Sequence, residues 1–140
     1  MKQLIRARNG VVIFVEDSEG VIFVRQYREA AKEYLLELPG GGIDDGESPE
    51  AAAVRELEEE VGLIATELKR VGSFFSNPSV STNEIHIFIA TKLKQSTRRS
   101  QDEELVEVVR LKRDRLENQV FRDAKTIAAL GLLNFKVFSC

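Results

Sequence analysis

Residues 40–63 leave the chain little choice of local structure. Gly40-Gly41-Gly42 carries no side chains, so other groups can approach its backbone closely. Ser48, Pro49 and Glu50 then supply an N-cap, a proline at the first helical position and an acid in the first turn. Gly62 stands where such a helix stops. At about 100° per residue, Ala51, Val54, Leu57 and Val61 fall on one side of the helix. Glu56, Glu59 and Glu60 fall on the other, at spacings that bring side chains together. Ala52 and Ala53 share the carboxylate side and leave space above it. Glu58 lies nearer the apolar edge, apart from the cluster.

Apolar, β-branched runs surround this helix. Residues 10–15 are closed by Glu16-Asp17-Ser18-Glu19-Gly20, and 21–26 follow at once, so the pair reads as a hairpin. Residues 34–38 form a third short strand, ended by Pro39 and a turn at the glycines. Strands are also expected over 68–75, 84–93 and 105–111. In the second of these Ile85, Ile87 and Ile89 alternate with Glu84, His86 and Phe88. Residues 95–104 are polar throughout and read as a loop, and 124–133 as a closing helix. Strand pairs around a central helix predict a mixed α/β sandwich rather than a βαβ array.

The chain has 140 residues, of which 43% are hydrophobic and 31% charged, and it shows no repeat or linker. One packed domain over 1–140 is expected. A formal charge of −3 gives no general reason to bind DNA or an anionic membrane. The longest apolar runs, 11–15 and 21–24, fall far short of the roughly 20 residues of a membrane helix. The first residues lack the apolar stretch of a secretory signal. A single cysteine, Cys140, excludes an internal disulfide and a cysteine-rich zinc site. A cytoplasmic, reducing setting fits these features.

Three carboxylates on one helix face repel each other unless a positive charge sits among them. Hard oxygen ligands suit Mg²⁺ or Mn²⁺. Arg55 is one step round the helix and can brace a carboxylate with two hydrogen bonds. The glycines before the helix, Gly41 among them, leave backbone bare where a phosphate or a metal can approach. The plain alternative is a solvated acidic face. Spacing separates the two readings: the stretch fits G-x(5)-E-x(7)-R-E-U-x-E-E-x-G-U, with U aliphatic, at Gly41, Glu47, Arg55, Glu56, Leu57, Glu59, Glu60, Gly62 and Leu63. By average residue usage, chance would produce this about once in a million chains or less.

This pattern resembles the Nudix box. The resemblance implies a Nudix-type α/β/α sandwich with a mixed sheet, a catalytic loop-helix-loop and a C-terminal helix. It also implies hydrolysis of a diphosphate linkage by water with Mg²⁺ or Mn²⁺. On this chain Glu56 and Glu60 become the main metal ligands, Glu59 a further ligand or outer group, and the carbonyl of Gly40 another donor. Arg55 orients the carboxylates and Glu47 supports the loop.

Val24-Arg-Gln-Tyr-Arg28, Leu36-Glu-Leu-Pro-Gly40, Pro78 sixteen residues after Gly62, and residues 83–90 and 123–130 resemble the ADP-ribose and ADP-sugar pyrophosphatase subgroup. That likeness implies a nucleotide substrate, ADP-ribose or another ADP-sugar, split to AMP and a sugar phosphate. Another Nudix substrate (a dinucleoside polyphosphate, an NTP, a GDP-sugar or an RNA 5′ end) is the alternative, and a non-catalytic nucleotide-sugar module is the third reading. An intact box argues against the last. Dimeric members of the subgroup often carry an extra N-terminal β-domain. Only about ten residues precede the first core strand here, so that domain is expected to be missing or vestigial, and a homodimer is expected to form, if at all, by another mode.

The subgroup also implies a general base in a loop after the box. Glu103 and Glu104 are the candidates, against a reading as two solvated loop acids. Arg28 reads as a substrate-phosphate partner or a surface cation, and Tyr27 as a base-stacking ring or a support beneath the site. Glu37 either faces the site or bonds the N–H groups of the Pro-Gly turn. His86 reads as structural, and Arg98-Arg99 as a solvated loop pair. Of Phe74 and Phe75, one is expected in the core and one facing the site.

Overall fold

A computed structural model describes residues 3–98 and 106–137. In chain order the elements are β1 (Gly10–Asp17), β2 (Gly20–Arg28), β3 (Glu33–Glu37), β4 (Gly40–Gly42), α1 (Pro49–Val61), β5 (Leu63–Phe75), β6 (Glu84–Gln95), β7 (Glu107–Leu111), α2 (Arg113–Leu116) and α3 (Ala124–Leu132).

β1 is buried on both faces. Val11, Ile13 and Val15 enter one core while Val12 and Phe14 enter the other. A strand covered on both sides reads as a continuous apolar run, which is why no polar residue interrupts Val11 to Val15. The sheet runs β3-β2-β1-β6-β5, with β4 also paired to β1 and β7 to β2. It is mixed: β1 lies parallel to β6, from Gly10 opposite Ile85 to Val15 opposite Ala90, and the other pairs are antiparallel.

Two helical layers close the sandwich. On one face Ala52, Ala53 and Leu57 of α1 pack with Ile22, Ala65 and Phe88. On the other, Ala129 and Leu130 of α3 join Leu116, Phe121, Phe23 and Ile87, with Phe23 and Phe121 stacked at 5.2 Å. Each large side chain buried in this way contributes about 1.5–3 kcal/mol. The result is the expected α/β/α sandwich with a mixed sheet.

Several local expectations change. The β1–β2 hairpin pairs only at its tip, Glu16 with Val21 and Asp17 with Gly20, because β1 then turns to β6 and β4 while β2 takes β3 and β7. The glycines at 40–42 are a short strand on β1, not only a turn. β5 begins at Leu63, directly after the helix stop, rather than at 68. α1 turns inward on Ala52, Ala53 and Leu57, and Ala51 is exposed. Phe88, expected on the polar face of its strand, is fully buried beneath α1. α2 had no counterpart in the sequence reading. Among the described residues, no helix is long and apolar enough to cross a membrane.

Candidate active site

α1 is held at both ends by the residues that mark it. The Ser48 hydroxyl accepts the Ala51 N–H at 3.1 Å, and Gly62, at φ 76°, returns its own N–H to the Glu58 carbonyl at 3.0 Å. This fixes which side chains meet β4. Glu56 and Glu60, one turn apart, both lie on the glycine strand. A Cβ on Gly41 would run into the Glu56 carboxylate, and the Gly40 N–H donates to Glu60 Oε2 at 3.3 Å. The glycines are bare where the carboxylates need room.

Arg55 gathers the surrounding loop. Its Nε and Nη2 donate to Glu47 Oε2 and Oε1, each at 2.8 Å, and Nη2 also reaches the Gly42 carbonyl at 2.9 Å. Nη1 donates to Glu56 Oε1 at 2.8 Å and to Glu59 Oε2 at 3.3 Å. The Arg55 bonds, with the Asp44 N–H, hold the Glu47 carboxyl down to about 2. Glu47, and then Glu56, push the Arg55 guanidinium further up. Glu59 is half exposed, and among the described residues its one ion pair is with Arg55.

Glu60 differs from the other acids. Burial, then the neighbouring Glu56, push its carboxyl up to about 8. Burial also raises Glu56, although Arg55 opposes it. Among the described residues Glu60 makes no ion pair and Arg28 favours its charge only from a distance, so a bound cation would stabilise its ionised form. No group of three or more His, Cys, Asp or Glu is gathered around one point among these residues. What converges is a pair of carboxylates on bare backbone, an all-oxygen set that fits a hard divalent cation completed by water or substrate.

Glu60 and Gly40–Gly42 form part of the wall of a cavity of about 570 Å³. Val24, Gln26 and Arg28, alternate residues of β2, line another part, with Glu37, Arg8, Asn83 and Lys125 nearby. Arg28 binds Glu37 through Nε to Oε2 and Nη2 to Oε1, both 2.8 Å, and Glu37 is buried. Glu37 therefore holds Arg28 rather than the turn's N–H groups.

Other expected site residues stand elsewhere. Tyr27 is exposed, packs edge-on against Tyr34 and does not line the cavity. His86 Nδ1 lies 3.2 Å from Arg70, which also bonds Glu50 at the start of α1. Phe74 packs into the α3-side core and Phe75 is exposed, and neither lines the cavity. Arg98 is exposed. Glu103, Glu104 and Arg99 lie outside the described residues. The sequence reading missed Gln26, Arg8, Asn83 and Lys125. The period of two through Val24 and Arg28 points to Gln26, but nothing local marks the rest.

Comparison with known proteins agrees with this geometry. The Nudix domain profile matches residues 6–130. The ADP-ribose pyrophosphatase of Bacillus subtilis (strain 168) is 30% identical over 142 residues, covering 96% of this chain and 77% of that protein. The ADP compounds hydrolase NudE of Escherichia coli (strain K12) is 32% identical over 130 residues, covering 90% and 70%. A crystal structure of an ADP compounds hydrolase superposes with a TM-score of 0.81 at 30% identity, covering 91% of this chain and 71% of the other. A match of this extent, over a fold and a glutamate-bearing helix that agree with it, makes the chain a member of the Nudix family and its activity that of a Nudix pyrophosphohydrolase.

Proposed function

We propose that this enzyme hydrolyses ADP-ribose or another ADP-sugar to AMP and a sugar phosphate, with Mg²⁺ or Mn²⁺ held by Glu56, Glu60 and the Gly40 carbonyl. The observation that carries the metal assignment is the Glu60 carboxylate, buried beside Glu56 at the cavity, with no ion pair among the described residues and only Arg28 acting on it from a distance. The substrate assignment is supported by relatives named for ADP-ribose and ADP compounds along most of the chain. When bound, the cation neutralises charge on phosphate oxygens and lowers the pKa of a coordinated water.

The chain's own residues do the rest. Arg55 fixes the Glu56 carboxylate and draws Glu59 and the 42–47 loop toward it. Gly41 keeps the backbone low, so that a phosphate can approach Glu56 without a side chain between. Glu37 holds Arg28 by Nε and Nη2, which leaves Nη1 for a phosphate oxygen. Glu103 or Glu104 accepts the water's proton.

A screen of ADP-ribose, GDP-mannose, diadenosine polyphosphates and NTPs with Mg²⁺, with products identified by mass, tests this assignment. AMP and ribose phosphate from ADP-ribose are expected. Glu60→Gln is expected to lower turnover about a hundredfold or more, in line with the loss of a residue acting at the reacting centre. Cleavage of another substrate, with ADP-ribose intact, would reassign the specificity.

A further inference from the structure

Among the described residues three cations line the cavity, and two are already paired. Arg8 Nη1 meets Asp44 Oδ1 at 3.0 Å, and Arg28 is held by buried Glu37. Lys125 lines the same cavity and has no ion pair or side-chain hydrogen bond among the described residues. The nearest acid along the chain, Asp123, is occupied: its Oδ2 accepts the Thr126 N–H at 3.0 Å and the Thr126 hydroxyl at 2.7 Å. Lys125 is also the second residue of α3, where the helix dipole disfavours a positive charge. Neither ion pairing nor helix stability accounts for a lysine at this point. An anion in the cavity does.

Its position is fixed from below. Thr126 is fully buried, and its Oγ1 accepts the Leu38 N–H at 2.9 Å while donating to Asp123. The first turn of α3 is thereby tied to the backbone between Glu37 and the glycine strand. The base of Lys125 is set relative to both, and only its flexible side chain is left to adjust.

We propose that Lys125 is a substrate-binding residue whose ammonium holds a non-bridging oxygen of the diphosphate, independently of any cation on Glu56 and Glu60. The inference rests on the diphosphate-hydrolase reading and adds to it a contact that persists without divalent metal. It follows that the metal-free enzyme keeps a residual affinity for diphosphates, and that Lys125 carries much of it.

The test compares Lys125→Met and Lys125→Arg with the wild-type chain. Inorganic pyrophosphate and ADP-ribose binding are measured by calorimetry in EDTA, KM and kcat with Mg²⁺, and stability by urea unfolding. Lys125→Met is expected to weaken pyrophosphate binding and raise KM by about ten- to a hundredfold, the usual effect of one charged hydrogen bond, with a smaller change in kcat. Lys125→Arg should recover most of the affinity, and neither variant's urea midpoint should fall below that of the wild type. Wild-type affinity and KM in Lys125→Met would overturn the proposal. So would a loss that follows a lowered midpoint and is not recovered by arginine, or a wild-type enzyme that binds no pyrophosphate in EDTA. If the wild type cleaves only substrates that are not ADP-sugars, the ADP-sugar assignment fails, while pyrophosphate binding still decides the role of Lys125.

Discussion

Arg55 and Glu47 meet across eight residues through a two-pronged contact, Nε to Oε2 and Nη2 to Oε1, each 2.8 Å. The same guanidinium reaches Glu56, Glu59 and the Gly42 carbonyl, so a single planar group joins the loop before α1 to the carboxylates on it. An ammonium cannot reproduce that fork. Arg55→Lys is therefore expected to lower kcat/KM about 10- to 100-fold, as changes behind a metal ligand commonly do. Its urea midpoint should fall as well, because Glu47 loses its partner. A lysine variant with wild-type kcat/KM would show that the orientation of Glu56 does not limit the reaction.

Gly41 lies against the Glu56 carboxylate, and a methyl group there would occupy the same space. Since the obstacle is a side chain that can swing aside, Gly41→Ala is expected to fold. Its Mn²⁺ affinity should fall on the order of tenfold or more, as when a ligand's support is removed. Calorimetric titration with Mn²⁺ measures this directly, and unchanged affinity would remove Glu56 from the metal site.

The raised carboxyls make stability depend on pH in a definite direction. Glu60 goes from an ordinary 4.5 to about 8 on folding, and Glu56 is raised with it. The folded state then holds more protons than the unfolded state across that window, so stability falls as pH rises through it. Glu47 has the opposite sign, but its contribution is complete above 4.5 and is lost only in acid. In EDTA the urea midpoint is therefore expected to be lower at pH 8 than at pH 6. Mg²⁺ should restore it, and Glu60→Gln should flatten the profile. A midpoint that rises over this interval would contradict the burial of Glu60.

The Ser48 cap belongs to the helix and not to the chemistry. Ser48→Ala removes the acceptor for the Ala51 N–H and is expected to cost about 1 kcal/mol of unfolding free energy. KM for the cleaved substrate should stay within about twofold, given that surface changes away from a site usually have small effects. A large rise in KM would mean that fraying at the N-terminus of α1 reaches the carboxylates.

Some of this was legible because its causes are local. Ser48, Pro49 and Gly62 bound α1 where the sequence places it, since caps act through atoms within one turn. Glu47, Arg55, Glu56 and Glu60 meet as their spacing suggests, because the helix period and one short loop suffice to join them. The burial of the helix was misread. A mean apolar face put Ala51 and Val54 inward, but the helix rests on the sheet through the small Ala52 and Ala53. Their size lets the backbone come close, so that Glu56 and Glu60 reach β4.

The amino-acid order alone determined the capped helix, the glycines before it and the acids along it, because each depends on neighbours a few residues away. The tertiary structure decided which acids are buried, that Glu37 holds Arg28, and that Lys125 reaches the same cavity from the far end of the chain. Those facts depend on β1 lying parallel to β6 and on Thr126 bonding Leu38 across 88 positions. Contacts of such long range arise only when the layers pack, and no local pattern records them.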